Sequence, residues 1–247
     1  MLGGLHMSGH SKWANIKNKK EKTDSQRGKI FTKLGREIAV AVKDGGSTPE
    51  TNNRLRDVIA KAKAANMPND NISRSIKKAS GELGSVIYEE FVYEGYGPHG
   101  VAVIVETLTD NRNRTASEIR YIFDRSGGSF GATGCVSWMF DKKGIIVIEN
   151  TKDIDAEALM LEALEAGAED VVEEVEAIEI YTDPSSFSVV RDTLEKADYS
   201  FLSASIEMVP QTTVELNEKQ SEQLMNLIEK MEDNDDVQNV YHNLEVL

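Results

Sequence analysis

The spacing of apolar residues changes near residue 86, and that change limits the folds open to this chain. Before it, Ile30, Phe31, Leu34, Ile38 and Val42 recur at three- and four-residue steps, and Leu55, Val58, Ile59 and Ala62 do the same. That period lets a helix bury one face. After it, strand-length runs at 88–93 and 101–105 take over, separated by the turn cluster 95–100. The fold class predicted is α+β and multidomain.

The punctuation refines this. A first helix starts near Asp24 and stops at Gly45-Gly46; a second follows Pro49 and ends before Pro68. Asn69 or Asp70 is expected to cap a third helix, which carries Ile72 and Ile76 and closes at Gly81. With its lysine-rich lead-in, this is an N-terminal helical bundle over 8–83. Thr109 or Asp110 is expected to cap a helix that buries Ile119, Ile122 and Phe123, ends at Gly127-Gly128 and is followed by a strand at 136–140. Residues 143–209 then read strand, helix, strand, strand, helix, strand, the order of a ferredoxin-like domain. A strand at 212–216, a helix at 218–231 and a strand at 237–243 follow. The expected domains are the bundle at 8–83, an α+β middle domain at 84–142 plus 210–247, and a ferredoxin-like insertion at 143–209.

Charge divides the chain in the same way. The whole carries −14, but residues 1–85 hold 17 Lys and Arg against 8 Asp and Glu, while 86–247 hold 11 against 34. Such asymmetry points to bodies with separate jobs. The density peaks at Lys12, Lys17, Lys19, Lys20, Lys22, Arg27, Lys29, Lys33 and Arg36, opposed only by Glu21 and Asp24 between residues 8 and 36. Cations at this density bind a phosphate backbone by releasing its counterions. The interleaved Trp13 and Asn15 offer a stacking face and a hydrogen-bonding group. Arg27 and Lys33 lie off the apolar stripe and are expected to point outward; Arg54, Lys61, Lys63, Arg74, Lys77 and Lys78 extend the set. Arg112 and Arg114, in the run 109–115, form a possible second contact or simply a capped helix start with exposed arginines. Two alternatives to nucleic acid stand beside this: a solvated helix face, and a basic head docked on the acidic remainder. Trp13 reads equally well as a core residue.

Other chemistry finds little footing. His6, His10, His99 and His242 fall in no metal-ligand pattern, and the glycines of 95–100 lack phosphate-loop spacing. Carboxylates crowd 149–179, but nothing selects a catalytic pair. Cys135, the single cysteine, reads as a small buried hydrophobe and suggests a reducing, cytoplasmic setting. No apolar run approaches the ~20 residues of a membrane span. Residues 1–6, before a second methionine at Met7, read as an expression leader. No catalytic residue, metal, cofactor, membrane or small-molecule substrate is expected, and nothing sets an oligomeric state.

Several motifs are similar to those of the YebC/PmpR family: 9–17 (GHSKWANIK), 27–34 (RGKIFTKL), 61–68 (KAKAANMP), 93–98 (YEGYGP) and 107–115 (TLTDNRNRT). The resemblance runs from Met7 to near Leu247. It implies three domains, arranged as above, and a DNA-binding transcriptional regulator. Other members, including the mitochondrial relative that activates cytochrome oxidase synthesis, resemble translation factors that meet ribosomal RNA or tRNA on the ribosome. The family supplies no catalytic residues to carry over. At 129–132 and Cys135 the sequence departs slightly from the family pattern. The resulting expectation is a non-enzymatic regulator that reads shape and charge, with log affinity for duplex DNA falling against log salt at a slope near −5 for about six phosphates.

Overall fold

The computed structural model describes residues 24–81 and 86–245. In chain order its elements are α1 (Asp24–Gly45), α2 (Asn53–Ala64), α3 (Asn69–Ala79), β1 (Glu89–Tyr96), β2 (Ala102–Thr109), α4 (Arg112–Arg125), β3 (Ser129–Phe130), β4 (Phe140–Glu149), α5 (Ala156–Ala166), β5 (Asp170–Glu173), β6 (Ala177–Thr182), α6 (Phe187–Lys196), β7 (Phe201–Pro210), α7 (Glu218–Glu232) and β8 (Val237–His242). Residues 24–140 with 216–243 form one body, and 141–215 with 244–245 another.

In the first body, α1, α2 and α3 close around Leu34, Ile38, Val42, Leu55, Ala62 and Ile72. A buried Asn52 makes the α1–α2 corner. Its side chain accepts from the Leu55 N–H at 3.0 Å and donates to the carbonyls of Ala41 and Gly46 at 2.7 and 2.8 Å. One amide thus caps α2 and satisfies two carbonyls at the end of α1. Neither Asn69 nor Asp70 caps α3. Pro68 holds the cap position in extended geometry (φ −59°, ψ 141°), which its ring favours, and the two polar residues fall in the first turn.

The bundle continues into a sheet of order β3-β1-β2-β8. β1 and β2 pair antiparallel from Glu89↔Thr109 to Tyr96↔Ala102, and β8 joins the other side of β2. β3 reaches β1 only at Gly95 and Tyr96. α4 buries Ile119 and Phe123, and α7 buries Leu224, Leu227, Ile228 and Met231. Both helices cover one face: a Cβ on Gly95 would lie 3.0 Å from the Phe123 ring, and one on Gly97 would lie 2.7 Å from Leu224. Glycine at 95 lets α4 sit close on β1.

Three further local expectations fail. Asn111, not Thr109 or Asp110, caps α4 by accepting from the Arg114 N–H; the Thr109 hydroxyl is engaged elsewhere. Residues 136–139 are not a strand, because Glu94 takes their backbone donors: its carboxylate accepts from the N–H groups of Gly134, Val136 and Ser137 at 2.7–2.9 Å. Residues 212–216 make a single bridge, Val214 to Leu244, rather than a strand.

The second body runs β-α-β-β-α-β with sheet order β5-β6-β4-β7. β4 and β6 are antiparallel from Gly144↔Thr182 to Glu149↔Ala177, as are β5 and β6. Ile146, Ile148, Ile178 and Ile180 pack with Leu159 of α5 and Val190 and Leu194 of α6. Asp155 caps α5, and Gly167, at φ 110°, ends it. Entry and exit meet: Gln211 Nε2 donates to Asp141 Oδ1 at 3.1 Å.

Candidate nucleic-acid interface

Of the predicted contact residues, Lys12, Trp13, Asn15, Lys17, Lys19, Lys20 and Lys22 lie outside the described residues. Arg27 is exposed on α1. The next three cations of α1 reach the carboxyl end of α7 and the turn after it. Lys29 Nζ meets Asp233 at 2.8 Å, and Lys33 Nζ donates to the Glu232 carbonyl at 2.7 Å. Arg36 donates to Asp236 Oδ1 at 2.5 Å and to the Asp235 carbonyl at 2.7 Å, and stacks over Tyr88. The expectation that Lys33 points outward is therefore corrected. A helix ends in unpaired carbonyls and a partial negative charge, and the acidic run 232–236 adds to it. The hydrogen bond to Asp233, the largest effect on Lys29, raises its pKa.

Asp236 is the hub of these contacts. Its side chain is 4% exposed and also accepts from the Thr115 and Thr109 hydroxyls and from Arg114 Nη2, at 2.6, 3.1 and 2.8 Å. Burial opposes its charge, but Thr115, Arg114 and Arg36 outweigh that and hold the carboxyl below the ordinary aspartate range. Arg114, exposed and also bonded to Asp110, is thereby held between two carboxylates. Arg112 fares differently. It is exposed, with its guanidinium 5.0 Å from the centre of the Phe91 ring.

The outward cations lie elsewhere on the bundle. On α3, Arg74, Lys77 and Lys78 share one face at three- and four-residue spacing, all exposed, and Lys63 is exposed at the end of α2. Among the described residues none of these four has a carboxylate partner. Arg54 pairs with Asp44 and Glu90, and Lys61 with Glu37.

Cys135 sits half-buried in the loop that wraps Glu94, not in a strand. Burial and then the Glu94 charge push its thiol pKa up. Among the described residues no group of three His, Cys, Asp or Glu side chains is placed to hold a metal, and no helix is long and apolar enough to cross a membrane.

Comparison with known proteins adds three findings. Residues 11–82 match the model of the TACO1/YebC protein N-terminal domain, and residues 88–244 that of the TACO1/YebC second and third domain. A protein of Acetivibrio thermocellus named "probable transcriptional regulatory protein" is 63% identical over 96% of this chain and 98% of its own; one of Caldicellulosiruptor saccharolyticus with the same name is 60% identical over 97% and 99%. A crystal structure of a conserved hypothetical protein from Aquifex aeolicus superposes with a TM-score of 0.83 at 48% identity, over 94% of this chain and 96% of that one.

Proposed function

The chain belongs to the TACO1/YebC family, and on that premise we propose that it is a cytoplasmic, non-enzymatic regulator that binds DNA through its helical bundle. The observation that carries this reading is the α3 face of Arg74, Lys77 and Lys78, exposed and, among the described residues, without carboxylate partners, in a chain of net charge −14. An exposed cluster of cations of this kind attracts a polyanion. Lys12, Lys17, Lys19, Lys20 and Lys22 belong to the same proposed surface by sequence. The names of the relatives support the regulatory role. In the second body, the β-α-β-β-α-β order and the β5-β6-β4-β7 sheet support a ferredoxin-like insertion.

A second reading has its own observation. The contacts of Lys29, Lys33 and Arg36 with 232–236 support a basic head docked on the acidic part. We assign these α1 cations to that docking and the α3 cations to nucleic acid.

Fluorescence anisotropy with a duplex DNA of about 30 base pairs across a salt series tests the proposal. The triple change Arg74→Ala, Lys77→Ala, Lys78→Ala should weaken binding and make the salt slope shallower by about 3. An unchanged slope removes α3 from the interface. Tighter binding to a structured RNA than to any duplex at the same salt would replace DNA by the ribosomal alternative.

A further inference from the structure

On the first body, between α4 and the outer edge of β1, lies a groove of about 610 Å³. It has two features that neither the fold nor the DNA reading uses.

The first is a pair of arginines. Arg112 and Arg120 project from one face of α4, both exposed, over the rings of Phe91 and Phe130 at 5.0 and 4.5 Å. Neither has a carboxylate partner among the described residues. A guanidinium resting on a ring is pre-oriented, with its N–H edge free for a bidentate carboxylate.

The second is an open strand edge. β3 ends where the Gly131 N–H donates to the Glu94 carbonyl. In an antiparallel ladder alternate residues direct both backbone groups to the same side. Glu90 and Val92 therefore present N–H and C=O groups toward the groove, and among the described residues no strand pairs with them. Folded proteins usually cover or blunt such an edge.

We propose that this groove binds an extended, acidic peptide segment of a partner protein, which adds a strand beside β1 and places carboxylates on Arg112 and Arg120. The spacing fixes a register. Two turns of α4 separate the arginines by about 12 Å. Four residues of an added strand span about 13 Å and return its side chains to the same face. The segment should therefore carry acidic residues at positions i and i+4. A nucleic-acid strand fits less well, because the edge also offers carbonyls and a phosphate backbone has no N–H to donate to them.

The probe is a fluorescent synthetic peptide of about ten residues, Val/Thr-rich, with glutamates at i and i+4, titrated with the full-length chain. Saturable binding is expected. It should weaken about tenfold when the glutamates become glutamines or move to i and i+3 spacing, and about tenfold in Arg112→Gln or in Arg120→Gln. Val92→Pro, which removes a donor that no strand of the sheet uses, should abolish it. The arginine variants alter exposed side chains and keep the test valid if the proline variant misfolds. Absence of binding overturns the proposal. So does binding that ignores both arginines, or a single-stranded RNA oligomer that depends on the arginines but not on Val92→Pro. Self-association of the chain that the arginine changes remove would also overturn it, by assigning the groove to a second copy.

Discussion

Helices α1 and α3 are both rich in lysine and arginine, yet their cations meet opposite environments. On α1, Lys29, Lys33 and Arg36 rest against the end of α7 and the acidic turn after it. On α3, Arg74, Lys77 and Lys78 are exposed, and none pairs with a carboxylate among the described residues. Residue type does not separate the two sets; the neighbour does. A basic helix next to a helix carboxyl end becomes a clamp, and one without such a neighbour keeps its cations exposed to solvent.

The comparison breaks most readily at Asp236. Asp236→Ala strips Arg36 and Arg114 of their shared carboxylate and removes the carboxylate acceptor of the Thr109 and Thr115 hydroxyls, of which Thr115 keeps the Asn111 carbonyl. Removing one partner of a buried pair costs about 3 kcal/mol or more, which for a chain of this size lowers the melting temperature by roughly 10 °C. Scanning calorimetry checks this, and a loss within error would mean the clamp contributes nothing. Acid should act through the same group. The native pKa of Asp236 lies below its unfolded value, so its contribution is present above the ordinary carboxylate range, near pH 4, and is lost as pH falls through the lowered native value. The midpoint of urea unfolding should drop in that window, and less so in Asp236→Ala.

The α3 triple change sharpens the contrast from the other side. It should leave stability within about 0.5 kcal/mol of the parent, as surface changes do, while the salt slope for DNA falls. A chain that instead loses stability would make α3 a structural helix like α1. Smallest of all is Lys29→Ala, which breaks an exposed pair. No measurable change in melting temperature is expected, because such pairs are screened by solvent.

The elements themselves were readable where a local rule decides them. Helix α5 lies between two local signals, the Asp155 cap and the left-handed stop at Gly167. The apolar stripes of α1 and α2 are buried from Leu34 to Val42 and at Leu55, Val58 and Ala62, whereas Ile30 at the start of the α1 stripe stays exposed. What escaped depends on distant partners. Residues 136–139 look like a strand until Glu94, some forty positions earlier, accepts the N–H groups of Val136 and Ser137. The surplus of positive charge in the first third was plain, but which cations stay exposed was not. Asp233 and Asp236 lie about 200 positions beyond the residues they bind, and no periodicity spans that gap. Asn52 shows the same limit at short range: its type suits a cap, but its two bonds back to α1 depend on how the corner folds.

The hydrogen bond between Asp141 and Gln211 has a practical meaning for how such a chain is assembled. Because the two junctions of the second body touch, the seventy residues or so between them form a loop whose closure is already complete. Cut out and replaced by a tight turn, they should leave the ladder of β3, β1, β2 and β8 whole, and joined head to tail they should fold as a module of their own.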